Sequence, residues 1–159
     1  MMHDVLIRRE KTNLGHQNSA RLIRETVEKA LSCENISESC VISVLLTDDE
    51  GIQRINKAFR NVNSVTDVLS FPMNELKPGC FCSDLCEKDP ETGKILLGDI
   101  LLNLKRCEEQ GEEFHHGFNR EIRYLTVHSV LHLLGYDHLD EGEEKKRMRA
   151  REKAIMGEE

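Results

Sequence analysis

The segment HSVLHLLGYDH, residues 128–138, organises this chain because it spaces three histidines as metal ligands are spaced. His128 and His132 are four residues apart, so on a helix their imidazoles project from one face, one turn apart. Gly135 can adopt the left-handed conformation that ends a helix, and the chain can then bring His138 back toward the same point. Three nitrogens from one short segment leave a fourth coordination position open, as in catalytic zinc sites. The sequence therefore predicts one metal ion bound by these histidines.

Zinc is the metal that best fits this ligand set, although imidazole also suits nickel, copper and iron. The spacing is close to the HExxHxxGxxH signature of metzincin proteases, with one departure. Ser129 stands where those enzymes have the glutamate that serves as general base. A serine hydroxyl is a poor base near neutral pH, so ordinary peptide hydrolysis would lack its proton acceptor.

Length and composition predict a single domain over residues 1–159. The chain has 38% hydrophobic residues, and no Pro- or Ser-rich linker divides it. The N-terminus contains an apolar run of only three residues, which predicts an edge or first strand and not a signal peptide. No apolar stretch is long enough to span a bilayer. We therefore expect a cytoplasmic protein without membrane association.

The net charge and the cysteine content limit the possible modes of nucleic-acid binding and the expected redox state of the thiols. The formal net charge of −7 argues against bulk electrostatic coating of nucleic acid, so an RNA-binding role needs a locally basic surface. The six cysteines, without a signal peptide, are expected to be reduced thiols. Cys80, Cys82 and Cys86 suggest a second metal site, but they lack paired CxxC spacing and an evident fourth ligand. Adventitious metal capture or oxidation is the favoured interpretation of this cluster.

The hydrophobic pattern predicts an α+β domain, with a small mixed β-sheet packed against several helices and a central buried helix that carries the metal ligands. Strands are predicted at residues 4–11, 41–46, 66–72 and 95–102, the last with a bulge or close backbone approach at Gly98. Helices are predicted at residues 19–31, about 47–60, 104–113, about 119–134, and from Asp140 and Glu143 to about 156. Residues 73–94 are expected to form a long loop or loose hairpin.

Two helix starts carry specific capping predictions. Ser19 is a candidate N-cap of the first helix. Thr47 and Glu50 match a capping box, which predicts a second helix that begins there and ends near Arg60. On that second helix, a buried face is predicted for the apolar residues Ile52, Ile55 and Phe59.

Four stretches together resemble the YbeY family of bacterial metal-dependent endoribonucleases: LTDDEGIQRINKAFR (46–60), TDVLSFP (66–72), LGDI (97–100) and HSVLHLLGYDH (128–138). The resemblance implies an α+β domain, a zinc ion bound by His128, His132 and His138, and action on single-stranded RNA in ribosomal RNA maturation and ribosome quality control. It places the family's functionally important arginine at Arg60. This chain departs from the family at Ser129, where glycine is common.

The histidine spacing predicts a metal-dependent enzyme, and the resemblance implies that it is a zinc-dependent, single-strand endoribonuclease that acts on small-subunit ribosomal RNA, with the ribosome or its small subunit as partner. Zinc can acidify water or act as a Lewis acid, and the 2′-hydroxyl of RNA can be the nucleophile, so a protein glutamate is not required. Arg60 could bind the phosphate bidentately, or it could simply complement the dipole of its helix. Two alternatives remain open: another zinc-dependent hydrolase that uses the same site, and a non-catalytic ribosome-assembly factor with a structural metal.

Four further polar residues are candidates for supporting roles. Thr66, Asp67 and Ser70 could line the cleft, although a Thr-Asp pair before a strand more often serves a turn. Asp99 could orient a ligand histidine, or it could lie on the surface at a bulge.

Overall fold

The structure is a computed structural model that describes residues 2–137 and 142–157. Its strands, in chain order, are β1 (Asp4–Arg9), β2 (Cys40–Thr47), β3 (Val68–Pro72) and β4 (Ile95–Asn103). Its α-helices are α1 (Ser19–Cys33), α2 (Asp49–Arg60), α3 (Leu104–Glu113), α4 (Gly117–Leu133) and α5 (Glu143–Met156). The predicted α+β class is confirmed, and most predicted boundaries agree with the observed ones within about two residues.

The four strands form one mixed sheet in the order β1-β2-β4-β3. β1, β2 and β4 are parallel, and β3 pairs antiparallel with β4 at one edge. The pairing of β2 with β4 shifts by one residue, because Val41 is opposite Leu96 while Ile42 is opposite Gly98. Gly98 has φ +142°, and a Cβ built on it would lie 2.3 Å from the carbonyl oxygen of Phe71. The predicted bulge and close backbone approach at Gly98 are therefore confirmed.

The main core lies between one face of the sheet and the helices α1 and α4. Alternation along β2 directs Cys40, Ile42, Val44 and Leu46 into this core, and its intervening residues face the opposite side. A smaller cluster of Ile52, Leu69 and Leu101 lies on that opposite face, under α2. Most apolar side chains of α4 are fully buried, and Phe118 near its start is partly buried, which agrees with a central helix that carries His128 and His132. None of the described helices has the length and apolar character needed to cross a bilayer.

The two predicted helix caps are wrong, and in both cases a neighbouring residue takes the position. Asn18 is the N-cap of α1, while Ser19 lies buried in the first turn. Asp48 is the N-cap of α2 and accepts a hydrogen bond of 3.1 Å from the amide of Gly51. Thr47 is still paired with β4, and its hydroxyl donates to Glu10 instead. The extent of the preceding strand therefore decides where α2 can begin.

The predicted buried face of α2 is correct for only part of the helix. Ile52 is fully buried and Ile55 packs partly buried against the same cluster, but Phe59 is 75% exposed. Residues 57–60 are all exposed, so the last turn of α2 is largely uncovered, although the ring of Phe59 contacts that of Phe71 in β3. Residues 73–94 form the expected loop, with one 3₁₀ turn at Ser83–Leu85. The predicted helix start at Asp140 lies outside the described residues.

Candidate metal centre

The imidazoles of His128 and His132 face each other at the C-terminal end of α4. Their ring centroids are 4.7 Å apart at an interplanar angle of 80°, and their Nε2 atoms are 3.2 Å apart. Two imidazole nitrogens bound tetrahedrally to one zinc ion, with bonds of about 2.0–2.1 Å, would be separated by about 3.3 Å. The pair therefore has the geometry that chelation of a single divalent ion requires.

Glu152, on α5, fixes the orientation of the His128 ring. Its Oε2 lies 2.7 Å from Nδ1 of His128, and the side chain is nearly buried. A carboxylate at this nitrogen stabilises the tautomer with the proton on Nδ1, which leaves the lone pair of Nε2 directed at His132. This arrangement is typical of metal-binding histidines, so the donor set fits a bound cation.

Tyr124 supports Glu152 from the preceding turn of α4. Its ring centroid is 6.0 Å from that of His128, and its side chain hydrogen-bonds to Glu152. Burial, together with the charge of Glu152 and this hydrogen bond, raises the pKa of Tyr124 to about 12. The phenol is therefore protonated at neutral pH and donates to Glu152, which also accepts from His128.

The sequence analysis did not identify Glu152, although a signal for it was present. Met148, Glu152 and Ile155 are the buried residues of α5, at intervals of four and three residues. This is the spacing of one helix face. An acidic residue within an otherwise apolar stripe needs a partner, and here the partner is a candidate metal ligand.

The end of α4 has the turn that the sequence predicted. Gly135 has φ +101°, its amide donates to the carbonyl of His132, and the amide of Tyr136 donates to that of Leu131. These two bonds form a Schellman motif, which ends the helix and redirects the chain. His138 lies outside the described residues. Among the described residues, no three side chains of the His, Cys, Asp or Glu type come together as a metal site, so the third ligand stays a prediction.

Arg60 lines the same cleft as the two histidines. The cleft has a volume of about 600 Å³ and lies along the edge strand β3, between the end of α2 and the C-terminal half of α4. Its lining comprises Phe59, Arg60, residues 66–72, His128, His132 and Asp137. Arg60 is exposed at the last turn of α2. The fold thus brings together three residues that the sequence analysis selected from two distant segments.

Thr66, Asp67 and Ser70 also line this cleft. The backbone here is held by Asn103, whose amide donates to the carbonyl of Asp67 and whose side chain donates to that of Thr66. The side chain of Asp67 accepts from Gln110 at 3.3 Å. Thr66 and Asp67 therefore serve both the turn before β3 and the wall of the cleft, while Ser70 lines the cleft from within β3.

Two other candidates lie away from the cleft. Asp99 is exposed on the face of the sheet opposite α4, beside Leu101, so its suggested role in orienting a ligand histidine is wrong. Ser129 is fully buried, and its hydroxyl has no hydrogen-bond partner in the described part of the chain. It is therefore unsuited to act as a base. All six cysteines are free thiols, as expected.

Comparison with known proteins gives a match over nearly the whole chain. A family profile described as Endoribonuclease YbeY matches residues 4–158. A protein of Clostridium botulinum with the same description is 47% identical over 140 residues, which are 84% of this chain and 84% of the relative. Another, from Clostridium acetobutylicum, is 47% identical over 146 residues, which are 88% of this chain and 87% of the relative.

The fold is also similar to that of a Thermotoga maritima protein whose structure was solved in solution. The TM-score is 0.59 at 23% sequence identity, and the match covers 98% of this chain and 90% of the other. At this identity the similarity shows the fold alone.

Proposed function

This chain belongs to the YbeY endoribonuclease family, and we propose that it is a zinc-dependent endoribonuclease that cleaves single-stranded RNA during ribosomal RNA processing. One observation carries the proposal: the paired imidazoles of His128 and His132 line one cleft with the guanidinium of Arg60. A chelating pair and a cation are the groups that phosphodiester cleavage needs when the substrate carries its own nucleophile.

In this proposal His128, His132 and His138 hold one zinc ion. When bound, zinc supplies a Lewis acid and lowers the pKa of water to about 7. Glu152 holds the proton on Nδ1 of His128, so that Nε2 of that ring presents its lone pair for metal binding. Tyr124 donates to Glu152 and keeps the carboxylate in place.

Arg60 is proposed to bind the scissile phosphate. Its planar guanidinium can donate two parallel hydrogen bonds to phosphate oxygens and can offset the negative charge that builds on them in the transition state. Because Arg60 lies on the solvent-exposed last turn of α2, an RNA strand can approach it without rearrangement of the core. The 2′-hydroxyl of the ribose is the proposed nucleophile: its oxygen bonds to phosphorus and loses its proton while the bond from phosphorus to the 5′-oxygen breaks, which gives a 2′,3′-cyclic phosphate and a protonated 5′-hydroxyl. This route needs no protein nucleophile, and Ser129 is buried.

The proposal also specifies a ribosomal substrate. Family membership supports a role in ribosomal RNA processing, and we extend it to maturation of the small-subunit RNA and to ribosome quality control, with the ribosome or its small subunit as partner. A net charge of −7 gives little non-specific attraction to RNA, so recognition must depend on local contacts or on such a partner. A cytoplasmic location is part of the same proposal.

The test uses an end-labelled RNA with a stable stem and single-stranded tails. Three samples are compared: chelator-stripped protein, the same protein with zinc restored, and a His132→Ala variant treated with zinc. We expect cleavage in the tails only by the zinc-restored protein. Cleavage that persists without zinc or without His132 would contradict the assigned site. Absence of cleavage by folded, zinc-loaded protein, on free RNA and on small subunits alike, would contradict the function and favour a non-catalytic assembly factor.

A further inference from the structure

A second cavity, of about 770 Å³, lies on the face of the sheet opposite α4. Its apolar surface comes from all four strands and from α2, through Leu6, Leu45, Ile55, Phe59, Phe71 and Leu101. We refer to the space between these six side chains as the sheet groove. Its volume is within the range of about 300–1,000 Å³ that is typical of ligand sites in proteins.

The sheet groove adjoins the histidine cleft. Phe59 and Phe71 line both spaces, and their rings meet edge to face with centroids 6.2 Å apart. Arg60, which lines the cleft, is the next residue after Phe59 on α2. A linear ligand bound at Arg60 can therefore extend past Phe59 into the groove.

Phe59 is the most exposed of the large hydrophobic side chains in the described part of the chain, at 75%. Polar side chains also line the groove: Arg8 and Asp99 are exposed, and Ser43 is half-buried. An aromatic ring beside a cation and hydrogen-bonding side chains is the combination that binds single-stranded nucleic acid, because every base has a face that can stack.

We propose that the sheet groove binds the nucleotide next to the scissile phosphate, with its base stacked on Phe59. This inference rests on the proposed function and names the contact by which a single strand is recognised. A base within a duplex is already stacked and paired, so it can reach Phe59 only after it is unstacked, which costs free energy. Stacking on an exposed ring therefore favours single-stranded RNA without requiring a particular sequence.

The test exploits the absence of tryptophan from this chain. Phe59→Trp places the sole tryptophan at the groove, and His132→Ala in the same protein prevents cleavage during the titration. We expect single-stranded RNA to quench the tryptophan fluorescence, and a tail-free hairpin at the same concentration to quench it much less. The matched control is Phe114→Trp, because Phe114 is also exposed but lines neither the cleft nor the groove.

Kinetics on the zinc-loaded enzyme separate stacking from general apolar contact. Phe59→Leu keeps an apolar side chain without a ring, whereas Phe59→Tyr keeps the ring. We expect the leucine variant to raise KM about tenfold with kcat within about threefold, and the tyrosine variant to stay close to the parent. Because Phe59 is exposed, neither change should disturb folding.

The outcomes distinguish this inference from the proposed function. The groove assignment is overturned if the parent enzyme cleaves RNA but RNA does not quench tryptophan at position 59 and Phe59→Leu leaves KM unchanged. In that case the nuclease function stands. Equal quenching at positions 59 and 114 also overturns it. Absence of cleavage by the parent enzyme contradicts the proposed function, and the fluorescence titration still reports whether RNA binds in the groove.

Discussion

Nδ1 of His128 lies 2.7 Å from Oε2 of Glu152, and this contact joins α4 to α5 across 24 residues of sequence. The carboxylate is nearly buried and also accepts from Tyr124, so its position is fixed from two sides. The contact links the end of the chain to the candidate metal centre, because it sets which nitrogen of His128 is available to a metal ion.

Removal of the Glu152 carboxylate should weaken zinc binding. We expect Glu152→Ala to lower zinc affinity by about 10- to 100-fold, because the His128 ring loses the partner that fixes its tautomer. Glu152→Gln should lower zinc affinity less, because the amide oxygen of glutamine can still accept the hydrogen bond from Nδ1 of His128. Competition with a chromogenic chelator measures both values. Glu144→Gln, an exposed change on the same helix, is the control, and a Glu152→Ala variant with parental affinity would contradict the assignment.

Arg60→Ala should leave zinc content and the unfolding midpoint unchanged while RNA cleavage falls by about 100-fold or more, because the cation that stabilises the phosphate is lost. Zinc analysis, thermal unfolding and cleavage rates are measured together. The control is Arg54→Ala on the same helix, which removes an exposed arginine paired with Glu10 at 2.9 Å and should retain activity. Retained activity in Arg60→Ala would show that this arginine only complements the helix dipole.

Zinc removal should abolish cleavage and leave the fold largely intact. α4 is held by the apolar core that it shares with α1 and the sheet, and this packing does not depend on the metal. Circular dichroism and the urea midpoint, before and after chelation, provide the measurement. Loss of helix signal on chelation would instead identify the ion as structural.

Gly135→Ala should destabilise the protein strongly. Gly135 has φ +101°, and an added Cβ would lie 2.2 Å from the carbonyl oxygen of Leu76. We expect a loss of about 2–4 kcal/mol in the free energy of unfolding of the zinc-free protein, measured in urea. Gly157 also has a positive φ, but nothing lies within 4 Å of an added Cβ. Gly157→Ala should therefore lower the free energy of unfolding by about 1 kcal/mol or less.

The stability of the protein should depend on pH through His3. Burial lowers the pKa of His3 from its ordinary value of 6.5, against the charges of Glu28 and Asp4, which raise it. Its Nδ1 also accepts from the amide of Cys40 at 3.0 Å, which requires an unprotonated nitrogen. The unfolded chain therefore takes up a proton first as the pH falls below 6.5, and the free energy of unfolding decreases from that point downward.

His3→Asn keeps an acceptor near the position of Nδ1 and removes the titrating group. Its urea midpoint should therefore fall less than that of the parent protein between about pH 6.5 and pH 5. His115→Asn, a change at an exposed histidine, should follow the parent curve. Parallel curves for His3→Asn and the parent would show that His3 has the same pKa in both the folded and unfolded states.

The sequence by itself determined the features that depend on local geometry. A spacing of four residues places His128 and His132 on one helix face, and Gly135 can adopt the positive φ that ends this helix. Short apolar runs rich in β-branched residues predicted the strands, and the glycine at position 98 predicted the bulge. The family motifs predicted that Arg60 belongs to the same site.

Only the tertiary structure decided which residues meet from different elements. Periodicity shows that side chains share a face, but it does not show what packs against that face, or where an element leaves the core. Glu152 reaches His128 because α5 packs on α4, and Phe59 is exposed because the last turn of α2 is left largely uncovered. Asp99 faces away from the histidines because α4 packs on the other face of the sheet. These outcomes follow from packing between distant segments, which local sequence patterns do not encode.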